Sequence, residues 1–217
     1  MRFEEHHFVP AHERRYRAFV DVLRNGIELA RRERTILVVM VATALVNGAD
    51  EAFGRLFPKR LVDLGLPVSP DPIVWLTGLG LLTLIIGAFA LRVVESRIDG
   101  ERDPRGMYTI ACALGALGVL LFAAAPDYVT AMAGVLVVRG IALSVIRVLS
   151  VIWVNRSATS GVRATLQSFL AQAEYAGEIA FGFALGVAAQ IVDIETAMYG
   201  ACALIAVAAA VSRWRRV

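Results

Sequence analysis

Six runs of apolar residues, each about long enough to cross a lipid bilayer, constrain this chain more than any other feature. A helix rises ~1.5 Å per residue, so a hydrocarbon layer of about 30 Å takes about 20 residues. The runs fall at 36–57, 73–94, 108–125, 129–154, 169–192 and 196–211, and with short connectors they use nearly everything after residue 35. In lipid, backbone N–H and C=O groups must be paired within the protein, which leaves helices or a closed barrel. A barrel is written in alternating segments of about ten residues, whereas these runs are continuous. The predicted fold is therefore all-α, with a six-helix transmembrane domain over residues 35–217. Composition agrees: only 19% of residues are charged and the mean hydropathy is +0.64. A soluble domain carries about a quarter charged residues.

The first run is the least regular. Its purely apolar part, Ile36 to Ala49, is short for a crossing, and it reaches Phe57 only by including Asp50, Glu51 and Arg55. Residues 1–34 form a polar N-terminal segment. Within it, Tyr16, Phe19, Val20, Leu23 and Ile27 stand at helical spacing over 13–33 with Arg on the other faces. This predicts an amphipathic helix along the inner membrane surface, with a solvated linker as the alternative. The segment contains no apolar core of a signal peptide. His6, His7 and His12 lack a fixed ligand spacing, so no metal is predicted. Cys112 and Cys202 lie inside apolar runs and read as small core residues.

Loop charge sets the predicted orientation. Eight Arg precede the first run, and Arg97, Arg102, Arg105, Arg156, Arg163, Arg213, Arg215 and Arg216 mark alternate connectors and the tail. The connectors at 125–128 and 192–195 hold no basic residue; only Lys59 and Arg60 break the alternation. Both termini are thus expected in the cytoplasm. The net charge of +3 is distributed between membrane runs, which excludes a nucleic-acid footprint.

Charge near the bilayer centre costs on the order of 3 kcal/mol, so each such residue is a candidate functional group. Asn47, Glu51 and Arg55 are spaced i, i+4, i+8 with Asp50 alongside, predicting a polar stripe aimed at the bundle interior. The alternative is a Glu51–Arg55 pair that neutralises itself near the outer interface. Arg139 lies ~15 Å into its helix and Glu178 a similar distance into its own, so the two are expected to meet at one depth. Such a pair could hold an anionic group and carry a proton, or it could be purely structural. Arg147 lies closer to the inner surface and can snorkel. Gly182 and Gly186 form a GxxxG step, and Gly115, Gly118 and Gly134 sit in other runs; close helix packing is the expected role, hinging the alternative. No nucleophile–base pair or phosphate loop is present, so neither an enzyme nor a cofactor is expected.

The stretch Trp153-Val154-Asn155-Arg156, followed by Val162 to Phe169 (VRATLQSF) and Gln172-Ala173-Glu174, resembles the segment joining the tenth and eleventh helices of bacterial major facilitator superfamily transporters. Asn47 to Leu56 is similar to the seventh helix of the same group. The resemblance covers essentially the whole chain, as a C-terminal half, although the motif between the second and third helices is reduced to Arg97, Asp99-Gly100, Arg102 and Arg105-Gly106. It implies half of a secondary transporter in the bacterial inner membrane, moving a small molecule with protons and needing a second six-helix half, a copy or a separate chain. Gln172 and Glu174 join Asn47, Asp50, Glu51, Arg55, Arg139 and Glu178 as candidates for the substrate and proton pathway. The competing expectation is a non-transporting membrane subunit, scaffold or truncated relic.

Overall fold

The computed structural model describes residues 34–98, 103–157 and 163–213. The predicted amphipathic helix and the N-terminal histidines lie outside them. The described residues are all-helical: α1 (Arg34–Asp63), α2 (Pro72–Ile98), α3 (Arg105–Ala123), α4 (Tyr128–Ser157), α5 (163–191) and α6 (Ile194–Arg213). Five of them, all but α5, are long and apolar enough to cross a membrane. In α5 the charges of Glu174 and Glu178 and the polar start at 163–172 interrupt the apolar run that the sequence places over 169–192.

Two helices depart from the uniform α geometry expected. Within α4, Leu136–Ala142 is π-helical, and within α5, Glu178–Gly182 is too. Extra-wide turns of this kind are uncommon and concentrate at functional sites. One contains Arg139 and the other begins at Glu178.

Helix ends are fixed locally. The α1 terminus closes in a Schellman turn: Gly65, at φ +87°, lets the Leu66 N–H reach the Leu61 carbonyl at 3.1 Å, with both leucines buried. Asp127 caps α4, accepting from the Thr130 N–H at 2.9 Å and hydroxyl at 3.0 Å. Asp193 caps α6 in the same way, accepting from the Thr196 N–H at 2.6 Å. The cations that broke the charge alternation are tied down at this end. Arg60 pairs with Glu195 at 2.6 Å, and Lys59 with Asp63 at 2.9 Å. At the other, basic end, Arg105 donates to the Thr35 hydroxyl, Arg156 to the Ile98 carbonyl and Gln167 to the Asn155 side chain.

The bundle centres on α1, α3 and α6, whose facing residues Val39, Val46, Phe53, Tyr108, Phe122, Met198 and Ile205 are almost wholly buried. Small residues set the spacing, as lipid supplies little hydrophobic drive between helices. A Cβ on Gly118 would stand 2.8 Å from Val137, and one on Gly134 2.9 Å from Phe122, so α3 and α4 touch through these glycines. α1 and α5 approach backbone to backbone: a Cβ on Gly177 would collide with the Ala44 carbonyl, and one on Gly48 would lie 2.7 Å from the Gly177 carbonyl. The expected Gly182–Gly186 step is not the contact. Gly182 meets Glu51, but Gly186 faces open space.

Candidate functional site

Asp50 sits about 24 Å along α1, near the middle of the bundle's height. Only 9% of its side chain is exposed. Burying a carboxylate demands a partner, and α4 brings two cations. The Arg147 Nη2 donates to Asp50 Oδ2 at 2.7 Å, a charge-assisted hydrogen bond. The Arg139 Nη2 stands 3.8 Å from Asp50 Oδ1, inside ion-pair range but too far to hydrogen-bond, and Oδ1 accepts no hydrogen bond. The Arg139 guanidinium lies 5.7 Å from the centre of the Phe57 ring and alongside Gly54, where a Cβ would be 3.5 Å from Nη1. The two arginines stand eight residues apart on α4, about 12 Å along the axis, and each faces a different oxygen of the carboxylate.

This arrangement corrects two expectations. Arg139 does not pair with Glu178; its ion partner is Asp50, and among the described residues Glu178 makes no ion pair. Matched depth was not sufficient, because α1 stands where Arg139 points and offers a carboxylate first. Arg147 does not run out to the membrane surface but turns inward to Asp50.

The predicted polar stripe of α1 divides. Asn47 is buried and donates to the Thr43 carbonyl at 2.9 Å, one turn back along its own helix. Glu51, its stem against Gly182 of α5, pairs with Arg55 within the helix, and 76% of the Arg55 side chain is exposed. Four residues advance a helix by slightly more than one turn, so Arg55 has drifted off the buried face that Asn47 and Asp50 share. On α5, Glu174 is half-buried and within electrostatic reach of Arg147 and Glu178, while Gln172 is exposed.

Arg139 and Arg147 also line a half-open cavity of about 470 Å³ between α1, α2 and α4. Phe57, Leu79, Leu84 and Val135 give it an apolar wall, and Thr77, Thr83 and Ser144 add hydroxyls. A second cavity of about 610 Å³ lies between α1 and α5, beside Arg55, Lys59 and Gln190. Among the described residues, no three His, Cys, Asp or Glu side chains come together as a metal would need.

The sequence pattern marks all three members of the cluster but not their pairing. Arg147, which its position along the helix assigns to the inner surface, is the residue hydrogen-bonded to Asp50. Neither a protein-family model nor a curated protein matches the chain.

Proposed function

We propose that this chain is one half of a secondary active transporter of the major facilitator type, in the bacterial cytoplasmic membrane with both termini inside. All six helices, α5 included, cross the bilayer. The observation that carries this reading is the Arg147–Asp50–Arg139 cluster, which joins two helices at mid-depth and opens onto a cavity. Intramembrane charges of this kind mark substrate and ion pathways, because their insertion cost gives no return in packing. Much of the Arg147 side chain, 60%, is left uncovered by the bundle. Lipid tails cannot solvate a guanidinium at that depth, so water or a second six-helix half must cover this face. That half is a copy of the chain or a separate chain, and rocking of one half against the other gives access from each side in turn. The carboxylates of Glu174, Glu178 and Asp50 are the groups available to carry a coupling proton.

Uptake profiling of intact cells tests the reading whatever the substrate is. Cells expressing the chain with its partner half should alter the medium level of at least one small molecule. Asp50→Asn, at equal abundance in the membrane, should abolish that change. Identical profiles for wild type, variant and empty cells would favour the non-transporting subunit.

A further inference from the structure

We infer that the cavity between α1, α2 and α4 binds a small organic anion through Arg139, with Asp50 as the internal counter-ion that the ligand replaces. The inference deepens the proposed transport reading by naming a substrate class.

The charged groups lining this cavity are both cations, Arg139 and Arg147, and no carboxylate lines it. Asp50 lies behind them and can neutralise only one. It is committed to Arg147, at 2.7 Å, and holds Arg139 loosely, at 3.8 Å. The Arg139 donors are therefore free to serve a second acceptor. Glu174 reaches Arg147 electrostatically from α5 without forming an ion pair, and neither it nor Glu178 lines the cavity.

Three hydroxyls also line the cavity, those of Thr77, Thr83 and Ser144, and two of them have their donors occupied. The Thr83 hydroxyl donates to the Gly80 carbonyl at 2.7 Å and the Ser144 hydroxyl to the Arg139 carbonyl at 3.2 Å, so each has only lone pairs left to offer. Besides the Thr77 hydroxyl, the guanidiniums are the side-chain donors that face a ligand, and they alone carry charge. A planar fork of N–H groups matches a carboxylate or phosphate. Phe57 beneath Arg139 and the Leu79, Leu84 and Val135 wall select an apolar or aromatic body behind that headgroup. A volume of about 470 Å³ lies in the range of small-molecule sites.

A soluble organic anion and an anionic lipid headgroup share this chemistry, and a thermal-shift experiment separates them. The protein, with its partner half where one is required, is placed in phosphatidylcholine nanodiscs. It is titrated with benzoate, salicylate and octanoate at millimolar concentration, each beside its neutral amide. A parallel arm replaces part of the lipid with phosphatidylglycerol. At least one carboxylate should raise the melting temperature in a saturable way while its amide does not. Arg139→Gln should weaken that binding by about tenfold or more, Arg139→Lys less. The comparison of acid with amide uses the wild type, so it stands even if Arg139→Gln folds poorly. Equal shifts from acid and amide, no shift from any acid, or a shift from phosphatidylglycerol that no carboxylate competes away would each overturn the inference. Loss of binding with uptake intact would remove the anion alone; binding without uptake would remove transport and keep the anion.

Discussion

The α3–α6 side of the bundle and the face built by α1, α2, α4 and α5 are both made from mainly apolar helices, yet they treat polar groups in opposite ways. Between Arg105 and its end α3 carries no charge, and α6 carries none between Glu195 and Arg213. The two helices meet through small residues and neutral links: the Thr109 and Ser212 hydroxyls at 2.8 Å, and Cys202 Sγ donating to the Ala116 carbonyl at 3.3 Å. The other face carries Asp50, Arg139, Arg147, Glu174 and Glu178 at mid-helix, and both π-helical turns. Packing alone suffices to hold the first side. The second spends insertion energy on charge, which argues for a task other than folding.

The contact that frames the polar face should be the most sensitive to substitution. Gly177→Val drives a side chain into the Ala44 carbonyl and separates α1 from α5. A loss of about 1–3 kcal/mol or more is expected, read as a lower melting temperature in mild detergent. Gly186→Ala, in open space, should leave the melting temperature unchanged. Equal damage from both would show that α5 is not seated as described.

A smaller effect is expected on the neutral side. Ser212→Ala removes one interhelical hydrogen bond, and such bonds in membranes average about 0.6 kcal/mol. Unfolding in graded SDS should detect a change of that order. A loss of several kcal/mol would erase the contrast between the two sides.

The smallest effect concerns the two caps outside the membrane. Hydrogen bonds from Thr130 hold the Asp127 carboxyl below the usual range, and those from Thr196 do the same for Asp193. A carboxyl depressed in the folded state stabilises fully above its unfolded pKa of about 3.9, and that stability fades as pH falls through the folded value. Melting temperature should therefore be flat above about pH 5 and decline below about pH 4. In the Asp127→Asn, Asp193→Asn variant that decline should be shallower. An equally steep decline would assign it to other carboxylates.

Helix placement was legible because long apolar runs are a property of composition, although only five of the six helices are long and apolar enough to cross a membrane. Each apolar run lies largely within one helix. The paired caps carry a sequence signal of their own, the repeated spacing of Asp127 with Thr130 and Asp193 with Thr196, which belongs to turn chemistry and is invisible to a count of charges. The π turns left no such trace: Arg139 and Glu178 lie in them, but a mid-helix charge does not by itself announce an extra-wide turn. The cluster was half legible. The charges announced themselves, but depth along a helix says nothing of rotation, and rotation gave Asp50 to Arg139 and turned Arg55 away.

The central claim is that Asp50, rather than Glu178, is the counter-ion of the α4 arginines, and a double-mutant cycle on folded yield and melting temperature tests it most directly. Asp50→Leu alone strands two guanidiniums and should destabilise, by less than the ~3–5 kcal/mol of a fully buried pair because both are partly exposed. Arg147→Met alone leaves Asp50 with only the looser Arg139 and should also destabilise. Together the two changes should recover much of the loss, a coupling of about 0.5–3 kcal/mol. The same cycle with Glu178→Leu and Arg139→Met should be additive. Additive losses at Asp50 and Arg147, with coupling at Glu178 and Arg139 instead, would contradict the account.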